Sequence, residues 1–192
     1  MGVQVGFNKT HTLMANKEAL RELQQRLAER LQKVREQAPT RNWLAVDVAG
    51  YGFLLPLDQI GEIFPLSVIQ VAPHSQPWFL GVASLRGQLH GVVDLGAFLG
   101  LTDKPGRRLV ESGVKDAGRL VSLNSGLQSN AALLIDKLQG LRNPASLKPN
   151  PNASGQKPHF VGQQLVDSLG RAWYELDLAA LVADETFLKV DV

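Results

Sequence analysis

The chain contains no cysteine, which excludes disulfides, thiolate nucleophiles and cysteine zinc sites together and fits a reducing compartment. It is also poor in histidine, with 4 in 192 residues. His11, His74, His90 and His159 share no HxxxH or HExxH spacing, so no helical pair of metal ligands is encoded. Neither sign of charge dominates: 20 Lys and Arg stand against 18 Asp and Glu, a net charge of +2, too small for the electrostatic footprint of a nucleic-acid binder. Long apolar runs are missing, because Gly, Gln, His or charged residues break every stretch short of the roughly 18 residues a membrane span requires. The N-terminus lacks the charged, apolar and cleavage regions of a secretory signal. These absences set the expectation of a soluble, cytoplasmic protein without direct membrane insertion.

What remains is a hydrophobic content of 44%, enough to bury a core in one large or two small domains. Residues 1–14 show no periodicity. From Asn16, Leu20, Leu23, Leu27, Leu31 and Val34 recur at spacings of three and four, with Glu22–Arg26 and Glu29–Lys33 as i,i+4 pairs. This is an amphipathic helix that ends before Pro39. It either lies on a domain surface or docks elsewhere. From Trp43 the period becomes two: Leu44, Val46 and Val48 share a face, Gly50-Tyr51-Gly52 reads as a turn, and Phe53, Leu55 and Leu57 take the core face of a second strand.

Asp58 to Ile63 reads as a short helical turn before a strand through Phe64 to Val71, and Pro73 and Pro77 bracket a loop. Strands follow over Trp78 to Leu85 and Leu89 to Leu95, with Asp94 as the cap of a brief helix closed by Gly100. Thr102 to Gly118 reads as a connection. Beyond it, strands are expected over Arg119 to Leu123, Ala131 to Asp136, Lys137 to Leu141, Phe160 to Val166 and Ala172 to Leu176. Asn143 to His159 is expected to be a long exposed loop, and a short helix lies near Asp177 to Val182. Two similar sets of strands, one on each side of residue 110, suggest two small barrels, a closure that protects short strand edges.

Groups that converge for catalysis are scarce. Ser84, His90 and Asp94 do not form a triad by any nucleophile-elbow pattern, and read as a turn serine, an exposed strand histidine and a helix cap. Gly50-Tyr51-Gly52 lacks the third glycine and the βαβ setting of a dinucleotide fingerprint. Gly155-Gln156-Lys157-Pro158 lacks the hydroxyl residue and helix of a phosphate loop. Lys104, Arg107, Arg108 and Lys115 are interleaved with acids and have no aromatic platform for single strands. No cofactor is implied, and no nucleic acid.

The most informative stretch is Trp78 to Leu101, where Arg86 sits between Leu85 and Gly87 in a nearly uncharged apolar run. Arginine keeps its charge and its planar fork requires a partner, so Arg86 is either paired within the fold or presented to another molecule. The segment Gly81-Val82-Ala83-Ser84-Leu85-Arg86-Gly87, followed by Gly91-Val92-Val93-Asp94-Leu95, resembles the CheW family of bacterial chemosensory adaptors, whose members show G-V-x-N-L-R-G and then P-[VI]-[VI]-D-L. Ile60-Gly61-Glu62-Ile63 is similar to the family's V-x-E-I, Pro73 with Pro77-Trp78 to its proline-flanked approach to the fourth strand, and Ala132 to Asp136 to its G-[IL]-[VL]-V-D strand. Ser84 stands where the family has Asn, and Gly91 where it has Pro. The N-terminal helix and the extended loop after Asn143 resemble the PilI-like branch associated with type IV pili and twitching motility.

The resemblance implies a mainly β fold: two five-stranded SH3-like β-barrels on a shared core, with an N-terminal amphipathic helix and short helical turns. The expected divisions are a tail and helix over 1–42, a CheW-like domain over 43–184 with barrels at about 43–101 and 119–176, and a tail over 185–192. It implies a non-enzymatic scaffold that couples the cytoplasmic hairpin of a chemoreceptor to the regulatory domain of a CheA-type histidine kinase, at receptor arrays on the inner face of the membrane. Carried over residue by residue, receptor contacts fall to Ile60, Glu62, Ile63, Gly81, Arg86 and Gly87. Ile60 would supply apolar burial, Arg86 charge-assisted hydrogen bonds, and the glycines close backbone approach. Ile69 and Val71 are the expected kinase contacts. The alternatives from other classes are a small β-barrel enzyme or ligand-binding domain, which requires an enclosed pocket with convergent titratable groups, and a nucleic-acid-binding barrel with salt-dependent affinity.

Overall fold

Alternating apolar residues from Trp43 build an antiparallel hairpin, β1 (Trp43–Val48) and β2 (Tyr51–Pro56). Val48 pairs with Tyr51, so the turn is the dipeptide Ala49-Gly50, one residue earlier than the glycines suggest. Both turn residues have positive φ, 50° and 85°, the two-residue geometry whose twist matches that of the strands. Gly52 belongs to the strand instead. A Cβ there would lie 2.7 Å from the Trp173 ring, so its missing side chain makes room for that tryptophan. The structure, a computed structural model, describes residues 42–103, 105, 118–151, 153 and 155–192. The helix expected from Asn16 and most of the connection between Thr102 and Gly118 lie outside the described residues.

Three strands follow: β3 (Ile60–Pro65), β4 (Phe79–Leu85) and β5 (Gln88–Asp94). The first corrects the helical turn expected over Asp58 to Ile63 and the strand expected over Phe64 to Val71. Beyond Pro65, the chain touches the sheet ladder through one bridge, Gln70 to Val82. Asp94 caps α1 (Leu95–Phe98) as expected, its Oδ1 accepting from the amides of Gly96 at 3.0 Å and Ala97 at 3.1 Å.

The second strand series is β6 (Arg119–Leu123), β7 (Ala131–Ile135), β8 (Lys137–Arg142), β9 (Leu147–Pro149), β10 (Val161–Asp167) and β11 (Ala172–Leu176). The loop expected over 143–159 therefore carries a 3₁₀ turn, Pro144–Ser146, and the short β9. Asp177 caps α2 (Leu178–Val182). Asp184 caps α3 (Glu185–Leu188), whose Phe187 is buried, so the stretch read as a C-terminal tail contributes to the core.

The strands form two sheets. One has six strands in the order β8-β1-β2-β11-β10-β9, the other five in the order β3-β6-β7-β5-β4. The mainly β, two-sheet architecture with short helices is the one expected, although one sheet has a sixth strand. The sheets do not coincide with the stretches 43–101 and 119–176, because each takes strands from both sides of residue 110. Four pairings make the exchange: β1 with β8 and β3 with β6, both antiparallel, and β2 with β11 and β5 with β7, both parallel. Periodicity identifies which face of a strand is buried and is silent about which strand lies beside it, so this interleaving was invisible in the residue pattern.

Alternation along the strands then sorts the apolar residues into three clusters. Trp43, Ala45, Leu54, Leu147, Leu165 and Trp173 fill the six-stranded sheet. Ala83, Leu85, Val92, Leu120, Ala132 and Leu134 fill the five-stranded one. Between them Leu44, Val46, Val48, Phe53, Leu55, Val93, Val121, Leu133, Ile135 and others make the shared core. Strand β7 shows the logic: all five residues are buried, with Ala131, Leu133 and Ile135 facing the shared core and Ala132 and Leu134 the sheet's own interior.

Candidate functional site

Strands β3 and β4 are the two edges of the five-stranded sheet, yet the sheet curls until the ends meet. Arg86 Nη1 donates to Glu62 Oε1 at 3.0 Å, joining the β4–β5 turn to β3. Further along, Gln70 and Val82 exchange two backbone hydrogen bonds of 2.8 Å each. Together these contacts tie β3 and the segment that follows it to β4 and its turn.

Arg86 and Gly87 are the two turn residues between β4 and β5, with φ of 48° and 80°. This is the same turn geometry as Ala49-Gly50. Glycine and asparagine suit the first position; arginine adopts a left-handed conformation there at a conformational cost on the order of 1 kcal/mol. The question whether Arg86 is paired or presented has a double answer. It pairs with Glu62, and the two side chains remain 75% and 50% exposed.

Glu62 reaches this position through a bulge. Ile60 pairs with Leu123 and Ile63 with Val121, so Gly61 and Glu62 together face the single residue Ser122. Unbroken alternation would have placed Glu62 on the same face as Ile60, against the shared core. The extra residue gives that register position to Ile63 and turns Glu62 away. The bulge also explains why Asp58 to Ile63 failed to read as a strand.

The expected site residues divide accordingly. Glu62, Arg86 and Gly87 come together at one exposed point, and Ile63, 40% exposed, lies next to them. Ile60 does not join them: it is a core residue at 7% exposure, so apolar contact at this surface cannot come from its side chain. Gly81 is also buried. Its φ is 125°, and a Cβ there would collide with the Gln70 carbonyl, so the close backbone approach it permits is that of the chain's own Gln70–Val71 segment. Ile69 packs against the interior of the five-stranded sheet, whereas Val71 is 81% exposed.

Two exposed apolar residues were missed. Leu89 lies on β5 just beyond the Arg86 turn, and Val68 lies in the segment between β3 and β4. Leu89 shares a strand face with Val93 of the shared core; proximity to the turn was the signal that it lies beyond the covered part of that face. His90 is the reverse case. Read as exposed, it is buried, with Nδ1 3.2 Å from the Gln88 carbonyl oxygen.

An apolar groove near Arg86 was expected between the barrels. Among the described residues, an open groove of about 230 Å³ is lined by residues including Tyr51, Phe53, Leu99, Leu101, Val161 and Tyr174, and none of the expected site residues borders it. Among the described residues, no group of three or more His, Asp or Glu side chains is placed to hold a metal ion. No helix among them is long and apolar enough to cross a membrane.

Known proteins resemble this chain in sequence and in fold. A stretch of 109 residues is 27% identical to protein PilI of Pseudomonas aeruginosa and covers 56% of each chain, so the match spans little more than half of that relative. Among solved structures, the scaffolding protein TtCheW from Thermoanaerobacter tengcongensis superposes with a TM-score of 0.59 at 18% identity, over 77% of this chain and 95% of that one. That likeness is one of fold. Residues 42–186 match the family model of the CheW-like domain, and the chain belongs to the CheW-like family.

Proposed function

We propose that this protein is a non-enzymatic adaptor that couples a chemoreceptor to a CheA-type histidine kinase, in a chemosensory system that controls pilus-based motility. It works on the cytoplasmic face of the membrane, at receptor arrays. The observation that carries this reading is the convergence of Glu62 and Arg86. They come from the two motifs that most resemble the family, lie 24 residues apart in sequence, and meet 3.0 Å apart on an exposed surface.

An arginine in a left-handed turn is a poor choice for folding alone, and an exposed ion pair adds little stability. Both features are accounted for if the guanidinium and carboxylate are offered to a receptor hairpin as charge-assisted hydrogen-bonding groups. Ile63, next to Glu62 on β3, and Leu89, just past the turn on β5, are exposed and supply the apolar area that an ion pair lacks. Ile69 and Val71 are assigned to the kinase, with the exposed Val68 beside them. Val71 and Val68 would make the contact, and Ile69, packed on the sheet interior, would hold their segment in place.

The test is co-purification with the cytoplasmic fragment of the cognate receptor and the regulatory domain of its kinase. Arg86→Ala and Arg86→Glu are expected to remain folded and to lose receptor capture, by tenfold or more for the charge reversal, while kinase capture persists. Val71→Asp is expected to show the opposite pattern. If both Arg86 variants hold the receptor as the parent does, the site assignment is wrong.

A further inference from the structure

We propose that Ser122 is a positioning residue for the Glu62–Arg86 pair: a buried hydroxyl on β6 that holds the β3 bulge and thereby sets how the pair is presented. The proposal rests on the reading of that pair as a receptor contact. Ser122 is 6% exposed and has almost no surface of its own to offer a partner.

Its hydroxyl bonds twice to the same residue. Ser122 Oγ accepts from the Glu62 amide at 2.8 Å and donates to the Glu62 carbonyl at 3.2 Å. Both backbone groups of Glu62 are thus satisfied by a side chain where a regular ladder would use backbone. This substitution is what a bulge requires, because the extra residue has no ladder partner. The task demands a group that both donates and accepts, which among small side chains means a hydroxyl.

Gly61 is the second, independent observation. A Cβ at that position would lie 2.6 Å from Ser122 Oγ and 3.0 Å from the Leu123 carbonyl oxygen. Any larger residue would displace the hydroxyl from its place. Gly61 and Ser122 are therefore matched across the two strands, one supplying the space that the other occupies. The physical consequence is directional: the register Ile60–Leu123 and Ile63–Val121 turns Glu62 outward only while both Gly61 and Glu62 stand opposite Ser122. If the bulge slipped by one residue, the carboxylate would be driven toward the core face and separated from Arg86.

The experiment compares Ser122→Ala, Ser122→Thr, Gly61→Ala and Glu62→Ala in the full chain. It reads amide hydrogen exchange at Glu62 and binding to the cytoplasmic fragment of the cognate receptor. Ser122→Ala is expected to accelerate exchange of the Glu62 amide and to weaken binding about 5-fold, the scale of one or two lost hydrogen bonds. Ser122→Thr, which keeps the hydroxyl, should restore both. Gly61→Ala, with Ser122 intact, should reproduce the binding loss by displacing the hydroxyl, and it decides the matter if Ser122→Ala does not fold. In a Glu62→Ala background, Ser122→Ala should add no further loss, because its effect runs through Glu62.

The proposal is overturned if Glu62→Ala weakens binding and Ser122→Ala and Gly61→Ala do not, or if the Ser122→Ala loss persists undiminished without Glu62. Failure of the receptor reading looks different: Glu62→Ala and Arg86→Ala would then bind as the parent does. In that event unchanged exchange at the Glu62 amide in Ser122→Ala would still overturn the holding role.

Discussion

Two arginines of this protein, Arg86 and Arg171, each reach a carboxylate on a separate strand, and the comparison separates a side chain enclosed by other groups from one that stays largely exposed. Arg171 donates to Asp47, which also accepts from Gln139. Its guanidinium lies 4.4 Å from the centre of the Trp173 ring, and Arg142 lies 5.4 Å from the same ring. Trp173 is fully buried, and its indole N–H donates to Asp167 Oδ2 at 3.0 Å. Asp167 Oδ1 accepts from the amides of Leu169 and Arg171 at 2.9 and 3.0 Å. Every member of this group is bound to at least one other.

Among the described residues, Arg86 meets one carboxylate and no aromatic face, and its backbone is left-handed. The side-chain exposures express the difference: 38% and 15% for Arg171 and Asp47, against 75% and 50% for Arg86 and Glu62. An ion pair by itself therefore says little about role. The decisive features are whether further groups desolvate and orient it, and whether the backbone accepts a cost to place it.

The largest expected effect that tests this contrast is at the centre of the Arg171 group. Trp173→Ala removes the ring that Arg142 and Arg171 cover and that Gly52 makes room for, and should destabilise the protein by about 3–5 kcal/mol, as deletions of large buried aromatics do. Urea unfolding followed by circular dichroism measures it. A loss below about 1 kcal/mol would mean that the six-stranded sheet does not depend on this cluster, and the distinction between the two arginines would collapse.

The next effect depends on pH. Asp167 is held below the ordinary carboxylate range, first by the hydrogen bond from Trp173 and then by the amides of Arg171 and Leu169 and the charge of Arg142, with partial burial opposing. A carboxyl group whose pKa is depressed on folding contributes stability that is complete above its unfolded pKa and is lost as pH falls through the folded value. The melting temperature should therefore decline below about pH 4, and Asp167→Asn should flatten part of that decline. If the pH profiles of the two proteins run parallel between about pH 4 and pH 2, the carboxylate does not anchor the cluster.

Much of this was legible in the residues, and the gaps have physical causes. Period-two patterns marked most strands, and Asp94 was readable as a helix cap because an acid directly before an apolar turn satisfies its free amides. The motif around Arg86 identified the family. Ile60 was misplaced because a bulge hides parity: with Gly61 and Glu62 facing one residue, Ile60 and Ile63 stand three apart and read as helical spacing, and a core isoleucine cannot be told from a contact. Gly81 looked available for a partner because a glycine shows that something approaches closely, and not what; here it is the chain's own Gln70. His90 lies on the same face as Val92, so alternation would have buried it, but a polar side chain argued for solvent. The Trp173 group left no local trace, since Asp47, Gln139, Asp167 and Arg171 converge only after β1, β8, β10 and β11 are assembled.

The smallest expected effect is the most discriminating. Arg86→Asn replaces the arginine by a residue that tolerates the left-handed conformation and removes an exposed ion pair of the kind worth about 0.2–1 kcal/mol. Relief of backbone strain and loss of the pair oppose each other, so thermal unfolding should shift by no more than about 0.5 kcal/mol in either direction. Receptor capture should nonetheless fall as it does for Arg86→Ala. A residue that can be exchanged without cost to the fold, but with loss of the partner, is kept at that turn for the partner. If Arg86→Asn instead destabilises the protein on the scale expected for Trp173→Ala, closure of the five-stranded sheet depends on Arg86 in the way the six-stranded sheet depends on Trp173, and the two arginines have the same job.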